Sequence, residues 1–180
     1  MDFARLYSRL AGAAIYANNP LGRIFMNYRE ALLSDIPGMS AVRLSVRENR
    51  LSSPSLVTEH EYADHLTSKG KGWVAENEHG VIVGIAIVDL QSHSVWAMFV
   101  HPDFEGKGIG KTLHRMMLDF YFAKTDQPLY LGTDANTRAE RFYRLQGWRE
   151  VGLYANGEVK FEMSTEQLAV SSQQLAVSDA

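Results

Sequence analysis

One stretch constrains the fold of this chain more than any other: Ser94 to Leu113, SVWAMFVHPDFEGKGIGKTL. Val95 to Val100 is almost wholly apolar and rich in valine and aromatics, which predicts a strand buried on both faces. His101 and Pro102 end it, and glycine then recurs at every second position, at Gly106, Gly108 and Gly110. From Thr112 to Lys124 the apolar residues Leu113, Met116, Met117, Phe120 and Tyr121 fall at helical spacing. Glycines at such a junction let the backbone take positive φ and let a ligand approach the amides. The helix start adds unpaired N–H groups and a partial positive charge, so the junction suits a pyrophosphate.

Spacing separates the turns that could do this. The triphosphate loop GxxxxGK[ST] is matched at Gly110, Lys111 and Thr112, but its first glycine falls on Glu105. The dinucleotide fingerprint GxGxxG fits Gly106 and Gly108 and then meets Lys111. Both fail at a defining glycine, the first at its tightest position.

The chain resembles instead the GCN5-related N-acetyltransferases, whose motif at the same junction is Q/R-x-x-G-x-G/A. Gly108 and Gly110 fit it and Glu105 departs from it. The segment NTRAERFYRLQGW, Asn136 to Trp148, is similar to the family's N-x-x-A-x-x-F-Y-x-x-x-G-F/W, and REALLSD, Arg29 to Asp35, to its opening R-x-A-x-x-x-D. With flanking elements the resemblance spans Met26 to Met163.

The resemblance implies acetyl-CoA laid across the end of the Val95–Val100 strand, which splays from Leu129–Thr133, with Met98 and Val100 on the pantetheine. It implies a cofactor site of Glu105 to Lys111 in which amides of Gly106, Lys107, Gly108, Ile109, Gly110 and Lys111 hold the pyrophosphate, with Ile109 buried as the anchor of the turn. Glu105 would repel the phosphates unless it points away or meets a cation, which Lys107 or Lys111 could supply. Asn136 matches a cofactor-touching position, although asparagine there also reads as a helix cap. Tyr143 matches the tyrosine that protonates the departing thiolate, with plain packing beside the cofactor as its other reading. The general base stays open among Asp89, His93, Ser94 and His101, a water relay, or an amine that arrives neutral. The acceptor pocket is expected between the loop 47–54, the central strand and the hairpin near Tyr154 and Asn156, with Glu48 attracting an ammonium group.

The remaining elements follow in order. Phe3, Leu6, Tyr7 and Leu10 suggest a helix that Ala11 to Ala17 continue. Arg5 and Arg9 before this short patch are a poor signal peptide, weakened by Gly12. Phe25–Ala31 reads as the first strand, and Ser34, Asp35 and Pro37 start a helix reaching about Arg47. Leu56–Leu66 is a second helix. Its HEYADH is not the zinc motif HExxH, because His60 and His65 lie about 140° apart on a helix, and both read as exposed. Gly72–Glu76 and Val81–Leu90 form a hairpin, Asn136–Gln146 is a helix ended by Gly147, and Trp148–Tyr154 with Glu158–Met163 forms a last hairpin. The tail repeats QLAVS at Gln167–Ser171 and Gln174–Ser178 and reads as solvated, with docking on another subunit as its second reading.

This order predicts an α/β (α+β) fold with a mixed, mainly antiparallel sheet of six or seven strands, helices on both faces, and a splay at the central strands. The expected organisation is an extension at 1–24, an N-acetyltransferase domain at 25–163 and a tail at 164–180. A net charge of −3 over 180 residues argues against a generally basic nucleic-acid surface, and no run has the about 18 apolar residues of a membrane span. The chain has no cysteine, so thiolate metal sites and a cysteine nucleophile are absent, and a cytoplasmic location is expected. The expected activity is acetyl-CoA-dependent transfer of an acetyl group, without a metal, to a primary amine of a small molecule, or as second choice of a protein. A homodimer is allowed. The alternative is a non-catalytic acyl-CoA sensor or partner domain of the same fold.

Overall fold

A computed structural model describes residues 14–17, 24–48 and 57–170. Within them the strands are β1 (Ala14–Ala17), β2 (Ile24–Glu30), β3 (Gly70–Glu76), β4 (Ile82–Asp89), β5 (Ser94–Val100), β6 (Leu129–Thr133), β7 (Arg149–Leu153) and β8 (Val159–Met163). They form a single sheet in the order β1-β2-β3-β4-β5-β6-β8-β7. Every pairing is antiparallel except β5 with β6, as expected of a mixed, mainly antiparallel sheet. Ala14–Ala17, expected to continue a helix, is instead an added edge strand on β2; the suggested helix before it lies outside the described residues.

The helices are α1 (Ile36–Ser45), α2 (Glu59–Asp64, continued by a π turn over His65–Lys69), α3 (Ile109–Phe122) and α4 (Arg138–Leu145). One face of the sheet packs on α3 and α4 through Leu113, Met117, Leu118, Tyr121 and Tyr143. The other packs on α1 and α2 through Ile36, Met39, Val42 and Tyr62. Each such fully buried side chain contributes about 1.5–3 kcal/mol. Helix α3 lies directly on Gly84 of β4, where a β-carbon would stand 2.8 Å from Ile109 Cγ2 and 2.9 Å from Leu113 Cδ1.

Local punctuation follows the chemistry of the turn residues. Asn77 Oδ1 accepts from the backbone N–H groups of His79 and Val81, both at 3.0 Å, to shape the β3–β4 turn. Gly147, at φ 85°, ends α4 in a Schellman arrangement: its N–H reaches the Arg144 carbonyl and that of Trp148 the Tyr143 carbonyl, each at 3.1 Å. The Arg29 guanidinium grips the Asp35 carboxylate at 2.6 and 2.8 Å and also bonds Glu76, which ties β2 and β3 to the start of α1. That pairing holds the Asp35 carboxyl below the usual range.

Two further expectations change. His60 is exposed, but His65 is buried, with Nδ1 2.7 Å from the Glu61 carbonyl oxygen and Nε2 3.3 Å from Asp89 Oδ2. Its ring stacks 4.0 Å from Trp96, and the partners that bury it come from distant strands. The tail, read as solvated, is helical over 165–170. Ser164 N–H donates to Gln167 Oε1 at 2.7 Å, and Leu168 packs on the first core. The second QLAVS copy lies outside the described residues.

Candidate active site

Strand β5 carries a bulge. Ile87 pairs with Ala97 and Val88 with Val95, so Trp96 is an extra residue opposite the β4 ladder. A bulge bends and twists its strand. Beyond it β5 leaves its other neighbour: the only registered β5–β6 pair among the described residues is Ser94 with Tyr130, joined also by Tyr130 N–H to the His93 carbonyl at 2.9 Å. From Val95 onward the β6-facing edge of β5 is open, and a cavity of about 540 Å³ fills the splay. Val95 to Val100 line one wall, Leu131 to Thr133 the other, the glycine turn and the start of α3 the floor, and Arg138, Ala139, Phe142 and Tyr143 of α4 the far side.

Gly106 and Gly108 adopt φ of 72° and 81°, and a β-carbon on either would meet nothing within 4 Å. Glycine is required there by backbone conformation, and the space above the turn is open. Helix α3 starts at Ile109, three residues before the expected Thr112, with Gly108 as its N-cap. Its first internal bond is Thr112 N–H to the Gly108 carbonyl at 3.1 Å, so the amides of Ile109, Gly110 and Lys111 have no partner within the helix. Ile109 is buried in the core, as expected of the anchor. This floor has the form and polarity of a phosphate cradle.

Of the residues singled out from sequence, Met98, Val100, Glu105, Gly106, Gly108, Ile109, Gly110, Lys111 and Tyr143 come together on this cavity; Lys107 and Asn136 do not line it. Lys107 turns back, donating to the Asp103 carbonyl at 3.0 Å with its ammonium 4.6 Å over the Phe104 ring. The cation that meets Glu105 is therefore neither Lys107 nor Lys111 but Arg138, at the start of α4. Asn136 sits at φ 62° and is not the cap of that helix; Thr137 is, accepting from Glu140 N–H at 3.1 Å. Glu48, expected to face an acceptor ammonium, accepts from the Arg138 backbone N–H at 2.9 Å. Two carboxylates thus converge on Arg138 at the rim of the cavity.

Tyr143 is buried against Phe142 and Trp148, at ring distances of 5.4 and 5.6 Å, and burial pushes its phenol pKa up. It stays protonated at neutral pH and can donate a hydrogen bond into the cavity. None of the candidate bases lines the cavity. His101 Nδ1 accepts from Asp103 N–H at 3.2 Å and caps the turn at Pro102–Phe104. Asp89 accepts from the amides of Gln91 and Ser92, and His93 Nδ1 lies 2.7 Å from the Tyr121 hydroxyl, both near the start of β5. Arg138 is the functional candidate that sequence reasoning passed over, although it stands inside the NTRAERFY segment. Among the described residues no group of three or more His, Asp or Glu side chains could hold a metal ion, and no helix is long and apolar enough to cross a membrane.

Comparison with known proteins agrees with this geometry. Residues 21–148 match the sequence model of the acetyltransferase (GNAT) family. No curated protein sequence matches the chain. Among solved structures, an acetyltransferase of the GNAT family from Staphylococcus aureus Mu50 superposes with a TM-score of 0.67 at 22% identity, covering 77% of this chain and 98% of that one. The PaiA N-acetyltransferase of Thermoplasma acidophilum, solved in complex with coenzyme A, gives 0.64 at 11% identity with coverages of 77% and 98%. A ribosomal-protein-alanine N-acetyltransferase from Brucella melitensis gives 0.62 at 24% identity, covering 76% and 98%. At these identities the structural likeness establishes the fold.

Proposed function

The chain belongs to the acetyltransferase (GNAT) family, and from that premise we propose that it transfers the acetyl group of acetyl-CoA to a primary amine of a small molecule, with a protein amine as the second choice. The observation that carries the reading is the splay itself: the open edge of β5 from Val95 onward ends over a glycine turn and three unpaired amides of α3. An extended pantetheine arm matches an open strand edge, and a pyrophosphate matches the amides of Ile109, Gly110 and Lys111. Backbone groups at Met98 and Val100 would orient the thioester carbonyl, which acetyl-CoA supplies as the electrophile. Tyr143 would hold a proton toward the sulfur. The transferase domain is assigned to residues 25–163, and the cytoplasm is the proposed site of action.

Calorimetric titration with acetyl-CoA tests this, with ATP and magnesium as the control. Saturable binding of acetyl-CoA that Gly108→Glu abolishes, in a variant that keeps its fold, supports the reading. Binding of neither acetyl-CoA nor other acyl-CoAs withdraws it. The two carboxylates at the rim, Glu105 and Glu48, favour a second reading, a domain that binds acyl-CoA without turnover. Tyr143→Phe separates the two: a turnover defect with unchanged acetyl-CoA affinity speaks for the enzyme, and a parent protein without turnover for the sensor.

A further inference from the structure

A second cavity, of about 370 Å³, meets the first at Gly132 and is lined by Gly132, Tyr154, Ala155, Asn156 and Glu158. Gly132 pairs with Lys160 and Thr133 with Val159, and Val159 is buried in the core under α3 and α4. Side chains alternate along a strand, so Glu158 and Lys160 lie on the opposite face, the one that carries α1 and α2. The Glu158 carboxylate rests against the Gly132 backbone. A β-carbon at 132 would stand 2.6 Å from Glu158 Oε2 and 3.1 Å from the Tyr154 ring, so the missing side chain at 132 is what lets both groups close on β6 at the residue the two cavities share.

Among the described residues the carboxylate has no counter-ion. The β7–β8 hairpin carries two cations, Arg149 and Lys160. Arg149 bonds Glu162 at 2.5 Å, and the Lys160 ammonium lies over two aromatic rings, 4.6 Å from that of Tyr130 and 5.4 Å from that of Tyr154. Among the described residues Glu158 makes no ion pair; its backbone is held, the N–H by Asn156 Oδ1 at 3.2 Å and the carbonyl by the Tyr154 N–H at 2.8 Å. A half-buried carboxylate without a cation, beside a tyrosine ring already in contact with an alkylammonium, is a receptor for a second one.

We propose that Glu158 is the carboxylate that receives the acceptor's primary ammonium and serves as its general base, with Tyr154 packing on the alkyl chain. This rests on the acetyltransferase reading above. Glu158 accepts one proton from the ammonium and later releases it to solvent. The nitrogen lone pair so freed forms the C–N bond to the acetyl carbon as the C–S bond breaks and its electron pair leaves on sulfur. The sulfur takes a proton from Tyr143, and the surplus proton of the new amide nitrogen restores the phenol.

The test follows thiol release from acetyl-CoA with n-butylamine, ethanolamine, putrescine and lysine ethyl ester as acceptors, with acetyl-CoA affinity measured separately. For the best of these amines, Glu158→Gln should lower kcat/KM at pH 7 by roughly 100-fold, with acetyl-CoA affinity unchanged. The deficit should close as pH approaches the amine's own pKa, about 10.4 for a lysine-like amine. Added formate should restore part of the rate of Glu158→Ala. Unchanged acetyl-CoA affinity also certifies the fold of both variants. A Glu158→Gln enzyme within roughly twofold of the parent, or a deficit independent of pH, overturns the proposal. So does a parent that binds acetyl-CoA and acetylates none of these amines. Failure of the parent to bind acetyl-CoA overturns the transferase reading, and this proposal with it.

Discussion

Acid should unfold this protein through a buried histidine that packs behind the site, against Phe142 and Trp148. His114 of α3 is buried, and its Nε2 accepts the indole N–H of Trp148 at 2.8 Å. The ring is therefore the neutral tautomer with its proton on Nδ1, and protonating Nε2 would set two donors against each other. Burial, with a smaller contribution from Arg115, lowers its pKa from 6.5 to about 4. A base whose folded pKa is depressed is protonated first in the unfolded chain. Stability is therefore fully present above pH 6.5, declines as pH falls, and is lost in full below about pH 4. The shift is worth about 3 kcal/mol in total, with a slope near 1.4 kcal/mol per pH unit in the middle of the window. The loss at Asp35 comes later, below the ordinary aspartate pKa, because Arg29 holds that carboxyl down. Urea unfolding followed by circular dichroism at constant ionic strength, from pH 7 to pH 4.5, measures the slope. His114→Gln presents an amide near the position of Nε2 and cannot titrate. It should lower stability at pH 7 by about 1–2 kcal/mol and flatten the acid slope by about one proton. Equal slopes in the parent and the variant would refute the argument.

Two further perturbations test the geometry of the site. Gly84→Val forces a side chain into Ile109 and Leu113; it should cost about 1–3 kcal/mol in urea unfolding and weaken acetyl-CoA binding, because α3 carries the phosphate-facing amides. At the rim, Arg138→Ala strips the cation from Glu105, so acetyl-CoA affinity should fall roughly 3–10-fold and fall further at low salt. Glu105→Gln should move calorimetric affinity the opposite way, and a Glu105→Gln that binds more weakly would show that the carboxylate points away from the phosphates.

Elements carried by local signals were legible in the chain. Strand β6 is where the apolar run placed it, the β3–β4 hairpin turns on Asn77 and Gly80, and α4 ends at Gly147 because glycine takes the left-handed conformation without strain. The cavity floor was equally legible, since its glycines and helix start are contiguous in sequence. Contacts between distant segments were not. Glu105 finds Arg138, not a lysine of its own turn, because the start of α4 is brought beside the glycine turn across the splay. Asn136 and Thr137 are both good caps by composition, and the backbone at φ 62° gave the role to Thr137.

The sequence by itself determined the strand, glycine turn and helix, and with them the place where a phosphate can meet free amides, because each depends on neighbours along the chain. Only the tertiary structure decided what surrounds that place. The bulge at Trp96 that opens β5 from β6, the burial of His65 beneath the Trp96 ring, and the carboxylate of Glu158 against Gly132 all arise from pairings between separate strands and helices. Sheet register sets which side chains share a face and which stand opposite a gap. No local pattern of residue types specifies it.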